Sequence, residues 1–205
     1  MPSSLSAAVS GLALSASLIV AIGAQNAYLL KQGLRREHVL VLATICFLSD
    51  AILILLGCAG LGSLVQAHPA LVQAVKWIGA AFLGWYGLRS ARAALHPQAL
   101  QADTAAGAVS LGSAVRTMLA LTWLNPHVYL DTVLLLGGIA GGYPGVSRVA
   151  FGLGAASASL LWFYTLGFGA ARLAPLFSRP AAWRVLDALI ALVMWTIAVS
   201  LLWSS

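Results

Sequence analysis

Charged residues are scarce in this chain, and their scarcity excludes an ordinary soluble domain. Only 8% of the 205 residues are Asp, Glu, Lys or Arg, while 61% are hydrophobic. A typical soluble domain has about 25% charged residues. Because so few charges cannot make a water-facing surface polar, we predict that most of the outer surface faces lipid.

Cysteines, histidines and acidic residues are too few and too scattered for a disulfide framework or a metal site. Cys46 and Cys58 fall on one predicted helix, about 18 Å apart along its axis, so they cannot pair with each other. Zinc-ligand spacing, a phosphate-binding glycine loop and a Ser-His-Asp set are all missing from the sequence. We therefore predict no enzyme activity, no metal and no cofactor.

Hydrophobic stretches long enough to cross a bilayer, roughly 20 residues each, can be drawn six times. They cover about 5–30, 39–63, 70–92, 114–139, 147–170 and 182–203. We expect the first to be retained, because it is longer than a signal-peptide core and no Lys or Arg precedes it. The prediction is an all-α, polytopic membrane protein with six transmembrane helices, forming one transmembrane domain over residues 1–205.

Basic residues indicate orientation, because cytoplasmic loops of membrane proteins are enriched in Lys and Arg. Nine of the eleven basic residues lie near the connections that follow odd-numbered spans, and two lie near the others. The net charge of +6 therefore reflects topology and not nucleic-acid binding, and both termini are predicted to lie outside. The nine are Lys31, Arg35, Arg36, Arg89, Arg92, Arg116, Arg172, Arg179 and Arg184, and the two are Lys76 and Arg148.

The longest polar break, a linker over about 96–111, divides the chain into halves of about 5–95 and 112–203. Three spans in each half require opposite insertion, so homologous halves would form two three-helix inverted repeats, a common transporter plan. "QNAYLL" in the first span and "NPHVYLD" in the fourth both place polar residues before a Tyr-Leu pair. "SDAILILLG" in the second span loosely matches "SLLWFYTLG" in the fifth, which also favours a repeat.

Acidic side chains within hydrophobic spans need a reason, because insertion at the bilayer centre costs about 2.5–3.5 kcal/mol. Asp50 lies near the middle of the second span, with no basic residue within two helical turns, and Asp131 lies in the fourth span. We predict a transport role for both. Asp187 lies one turn into the sixth span, where Arg184 can pair with it near the interface, which favours a structural role.

A cluster of polar residues surrounds a proline in the fourth span. Pro126 cannot donate a helical hydrogen bond, so a kink is predicted that leaves backbone acceptors without partners. Asn125 flanks the kink, and His127 lies four residues before Asp131, on the same face if the helix resumes at once. A His-Asp pair there can relay protons or orient a substrate. The alternative is that Asn125 and His127 only satisfy the carbonyls freed by the kink.

Two adjacent amides, Gln25 and Asn26, lie near the end of the first hydrophobic stretch, in "GAQNAYLLKQGL". Lys31 follows within six residues, which places the amides toward the predicted cytoplasmic side. They either contact a solute or only brace the surrounding helices. Glycine-rich faces on several spans allow close helix packing and would permit a homodimer.

Three motifs, "GAQNAYLLKQGLRREH", "CFLSDAILILLGCAGLG" and "TWLNPHVYLDTVLLLGG", together resemble the LysE-type lysine/arginine exporters of the wider amino-acid exporter family. The resemblance covers nearly the whole chain. It implies efflux of L-arginine or L-lysine across the bacterial inner membrane by secondary transport, driven by an ion gradient or the membrane potential. The family's motif positions correspond to Gly23, Gln25, Asn26, Asp50, Asn125, Pro126 and Asp131. Ala24 stands where many relatives have Pro, so no proline kink is predicted in the first span.

A basic amino acid as substrate needs a carboxylate for its side chain and hydrogen-bond donors for its own carboxylate. Asp50 and Asp131 can supply the first, with one of them exchanging a coupling proton. The amides of Gln25 and Asn26, with N–H groups around Pro126, can supply the second. The alternatives are an exporter of neutral amino acids such as threonine or homoserine, a small-solute or cation channel, and a membrane assembly subunit.

Overall fold

Helices are the regular secondary structure of the residues that the structure, a computed structural model, describes: 3–20, 23–62, 67–95, 109–173, 175, 177 and 179–203. The helices are α1 (Ser4–Ile19), α2 (Ala24–Arg35), α3 (Val39–Cys58), α4 (Pro69–Leu95), α5 (Leu111–Trp123), α6 (Pro126–Ala140), α7 (Gly145–Leu173) and α8 (Pro180–Trp203). The predicted all-α class is confirmed over these ranges. Most of the predicted linker lies outside them.

Long apolar helices support a multi-pass membrane protein. By length and composition, α3, α7 and α8 can each cross a bilayer, and α1 with α2 makes a fourth span if the bent pair is one. Large apolar side chains cover their outer faces, with Leu161 60%, Val185 59% and Leu192 61% exposed. Lipid is the environment in which such faces are stable. The number of six spans stays a prediction.

The first predicted span is two helices, α1 and α2, bent by 77°. Gly23 is the N-cap of α2, with extended backbone at φ −106° and ψ 176°. Asn26 Nδ2 donates a hydrogen bond of 2.7 Å to the carbonyl oxygen of Ile19, the last residue of α1. A side chain thus replaces a backbone donor, which lets a helix end among apolar neighbours without a proline.

The fourth predicted span is broken at Pro126, not only kinked. α5 ends at Trp123, and Pro126 is the first residue of α6, where its fixed φ and missing N–H are tolerated. Asn125 is extended, as the residue before a proline prefers. Tyr129 Oη donates to the Trp123 carbonyl oxygen at 2.8 Å, much as Asn26 does at the first break. Beyond it α6 is π-helical over Leu130–Leu136, a geometry frequent at functional sites.

Helix α7 is the centre of the packing: α1, α2 and α3 lie along it, α3 also contacts α6, and α4 packs along α8. Glycines bring α3 and α6 close together. A Cβ at Gly137 would lie 2.7 Å from the backbone of Gly57, and one at Gly57 would lie 2.8 Å from the Thr132 carbonyl oxygen. Small residues allow such approach between membrane helices. The contact holds the helix of Asp50 against the helix of Asp131.

We expect Gly137→Ala to lower the free energy of unfolding by about 1–3 kcal/mol, because the added methyl group would meet backbone that cannot move aside. Gly138→Ala is the matched control, since a Cβ there has no atom within 4 Å. Thermal unfolding of the purified protein in detergent measures both. Equal transition temperatures for the two variants would contradict the close contact of α3 and α6.

Candidate functional site

A cavity of about 270 Å³ lies between the two helix breaks. Its walls come from the end of α1, the start of α2, the middle of α3, α6 as far as Leu136 and Ile197 of α8. The volume is near the lower end of the roughly 300–1,000 Å³ typical of small-molecule sites. Six of the seven predicted site residues line it, namely Gln25, Asn26, Asp50, Asn125, His127 and Asp131, whereas Pro126 does not. Their role in transport stays a prediction.

Asp50 is the buried acid of the cavity, with a relative exposure of 5%. Its Oδ2 accepts a hydrogen bond of 3.1 Å from Ser159 Oγ of α7, while its Oδ1 has no hydrogen-bond partner. A buried carboxylate oxygen without a donor costs free energy. The free oxygen therefore favours a ligand or water that donates a hydrogen bond from within the cavity.

The two adjacent amides differ in what they contact. Asn26 joins three helices, because its Nδ2 donates to Ile19 of α1 and its Oδ1 accepts a 3.1 Å hydrogen bond from Trp162 Nε1 of α7. Gln25 is also nearly buried, but its Nε2 has no hydrogen-bond partner. Asn26 therefore joins the helices around the break, whereas the Gln25 side chain lies next to the Asp50 carboxyl in the cavity lining.

The hydrogen bonds at the start of α6 differ from those expected under both interpretations of the proline cluster. Asn125 Oδ1 accepts from the backbone N–H of His127 at 3.2 Å, so it caps a donor and does not satisfy a carbonyl. A hydrogen bond of 3.1 Å joins His127 Nε2 to Ser200 Oγ of α8. The described residues show no hydrogen bond between His127 and Asp131, although both line the cavity. Asp131 is half-buried there.

Asp187 lies elsewhere in the bundle, and its predicted pairing with Arg184 is wrong. Its side chain is 0% exposed, and its Oδ1 accepts from Lys31 Nζ of α2 at 2.5 Å. The Arg184 side chain is exposed on the surface of the helix bundle. The two residues are close in sequence, but Asp187 faces the interior. The true partner is 156 positions away in the chain, a separation that no local pattern reveals.

Two residues of α7, Ser159 and Trp162, were not predicted as part of the site. Ser159 is fully buried against Asp50, and Trp162 holds Asn26. Both belong to "SLLWFYTLG", which the repeat comparison singled out without giving either a role. Serine and tryptophan are common in membrane helices, so their chemistry alone does not mark them.

Known proteins match this chain over nearly its whole length. A family model described as LysE type translocator matches residues 16–205. A putative amino-acid transporter of Mycobacterium bovis is 47% identical over 92% of this chain and 93% of its own length. The arginine exporter protein ArgO is 44% identical in Yersinia enterocolitica, over 93% of both chains, and 44% identical in Serratia proteamaculans, over 94% of both. No solved structure matches the chain.

We expect Asn26→Leu to lower the free energy of unfolding by about 1–3 kcal/mol, because the Ile19 carbonyl and the Trp162 indole lose their partners. Gln25→Leu is the matched control, one residue away and with the same replacement, and should cost less stability because the Gln25 Nε2 has no hydrogen-bond partner to lose. Thermal unfolding in detergent compares them. A larger loss of stability in Gln25→Leu than in Asn26→Leu would contradict the bracing role of Asn26.

Proposed function

The chain belongs to the LysE type translocator family, and we propose that it is a secondary-active exporter of L-arginine or L-lysine. The family and its relatives support amino-acid export by a multi-pass protein of the bacterial inner membrane. The observation that supports a basic amino acid as substrate is the charge of the central cavity. Among the residues that the structure describes, Asp50 and Asp131 line it and no Lys or Arg does. A cationic side chain therefore fits this cavity better than a neutral one.

The α2 helix supplies the complementary site for the substrate's own carboxylate. The first N–H groups of a helix have no partner within it, and the helix dipole favours an anion there. Gly23 at the N-cap has no side chain to cap them, and Gln25 Nε2 adds a further donor from the first turn. The start of α6 contributes less than expected, because Pro126 has no N–H and Asn125 already caps His127.

Alternating access follows if the two halves, about 5–95 and 112–203, form inverted repeats. Each half begins with a broken span, α1 with α2 or α5 with α6. The match pairs α1 with α5, α2 with α6, α3 with α7 and α4 with α8, and the helix contacts agree with it. The contact of α1 with α7 corresponds to that of α5 with α3, and the contact of α2 with α5 corresponds to that of α6 with α1. The contacts of α3 with α7 and of α4 with α8 each join equivalent helices of the two halves. Such an arrangement allows one half to rock against the other around a central site.

The direction and energy source of transport follow the same proposal. The nine-to-two distribution of basic residues supports odd-numbered connections in the cytoplasm and both termini outside. An ion gradient or the membrane potential drives export, with one of the two cavity acids exchanging a proton during the cycle. A homodimer remains compatible with the glycine-rich faces.

Asp50→Asn and Asp131→Asn should each reduce arginine counterflow in proteoliposomes at least about tenfold, because a hydrogen bond to a charged group is worth about 1.5–3 kcal/mol. Glu37→Gln is the matched control, since Glu37 does not line the cavity. Wild-type rates in both aspartate variants would refute the proposed binding site.

Unlabelled arginine and lysine should compete with labelled arginine in the same counterflow assay, whereas threonine should not. A neutral amino acid leaves the cavity acids without a cationic partner, and this mismatch is the reason for the expected selectivity. Strong competition by threonine with none by lysine would favour the neutral-amino-acid exporter instead. Unsaturable flux without counterflow would indicate a channel.

A further inference from the structure

A buried ion pair lies inside the helix bundle, apart from the central cavity. Lys31 of α2 donates from Nζ to Asp187 Oδ1 of α8 at 2.5 Å. The Asp187 side chain is 0% exposed and that of Lys31 is 16% exposed. Neither residue lines the central cavity. The acid is therefore a second buried carboxylate, on a helix different from those of Asp50 and Asp131.

Lys31 satisfies only half of this carboxylate. Asp187 Oδ2 is buried and has no hydrogen-bond partner. An ammonium is a compact charge, whereas a guanidinium presents parallel N–H groups that can donate to both oxygens of a carboxylate at once. A guanidinium would thus satisfy Asp187 better than the group that now holds it.

Lys31 also lines a small polar recess, whereas the buried Asp187 does not, so displacement of Lys31 is what would open Asp187 to the recess. The recess has a volume of about 100 Å³, and its walls come from α2, α4 and the beginning of α5. Arg35 and Arg89 are part of its lining, where they can hold the carboxylate of a zwitterion. Gln25 and Lys31 are six residues apart, so the recess lies about 9 Å along α2 from the central cavity. The basic residues mark this end as the predicted cytoplasmic one, where substrate for export enters.

We propose that Asp187 is an entry site for the guanidinium group of arginine, and that Lys31 occupies this site as an internal competitor when substrate is absent. The proposal rests on the proposed export of basic amino acids. Exchange of one cation for another leaves no buried charge unpaired, which is the costly alternative. The displaced Lys31 can extend its long side chain toward water in the recess. Because only the guanidinium reaches both oxygens, the site favours arginine over lysine.

Transport kinetics at the cytoplasmic face test this exchange. Uptake of labelled arginine or lysine into inverted inner-membrane vesicles gives KM and maximal rate for the wild type, Lys31→Met, Asp187→Asn and the double variant. Arg184→Met is the matched control, one turn from Asp187 on the same helix and exposed. Its kinetic constants should equal those of the wild type.

Lys31→Met should lower the KM for arginine about tenfold, the equivalent of one charge-assisted hydrogen bond, because the competitor is gone. Asp187→Asn should raise that KM about tenfold and bring the lysine and arginine KM values together, because the bidentate pairing is lost. The double variant should match Asp187→Asn, since Lys31 then has nothing to compete for. Maximal rates should change far less than KM in all three.

A structural role for the pair predicts a different pattern. Both single variants would lose maximal rate and thermal stability with unchanged KM, and the exchanged pair Lys31→Asp with Asp187→Lys would restore them. That pattern overturns the proposal. If Lys31→Met does not fold, Lys31→Gln replaces it, and stabilisation of the purified protein by arginine replaces uptake. Absence of arginine uptake by the wild type would refute the proposed function itself, whereas unchanged KM values with an active wild type refute only the entry site.

Discussion

The requirement that every backbone polar group in a bilayer finds a partner is the constraint on which the rest of this structure depends. Two of the predicted spans are broken inside the bundle, and each break frees a carbonyl at the end of its first helix. A side chain from the following helix donates to that carbonyl in both cases, Asn26 to Ile19 and Tyr129 to Trp123. Without these donors both breaks would leave unsatisfied carbonyl groups in an apolar interior.

The same breaks create the site. A helix that begins inside the bundle directs its first N–H groups toward the interior, and α2 does so at the central cavity. The close glycine contact between α3 and α6 then brings Asp50 and Asp131 to that cavity. A positive helix end and two carboxylates in one volume form a site with both signs of charge. These charges complement the proposed substrate, an amino acid with a cationic side chain.

Much of the site could be predicted from the sequence because polar groups in apolar stretches are costly and therefore conspicuous. Asp50 and Asp131 stand out against their neighbours, as do the amides at 25 and 26 and the cluster around Pro126. The break between α1 and α2 could not be predicted in the same way, because it has no proline and depends on one side-chain hydrogen bond. The different contacts of the two amides were equally hidden, since Trp162 on a distant helix donates a hydrogen bond to Asn26.

The sequence alone determined that this chain is an all-helical membrane protein of an amino-acid exporter family, because composition and local motifs decide solvent preference and helix formation. The tertiary structure decided which polar groups meet. It paired Asp187 with Lys31 and not with Arg184, left one oxygen of Asp50 free, and tied His127 to Ser200. Each of these contacts joins helices far apart in the chain, so it depends on how the helices pack and not on any local pattern of residues.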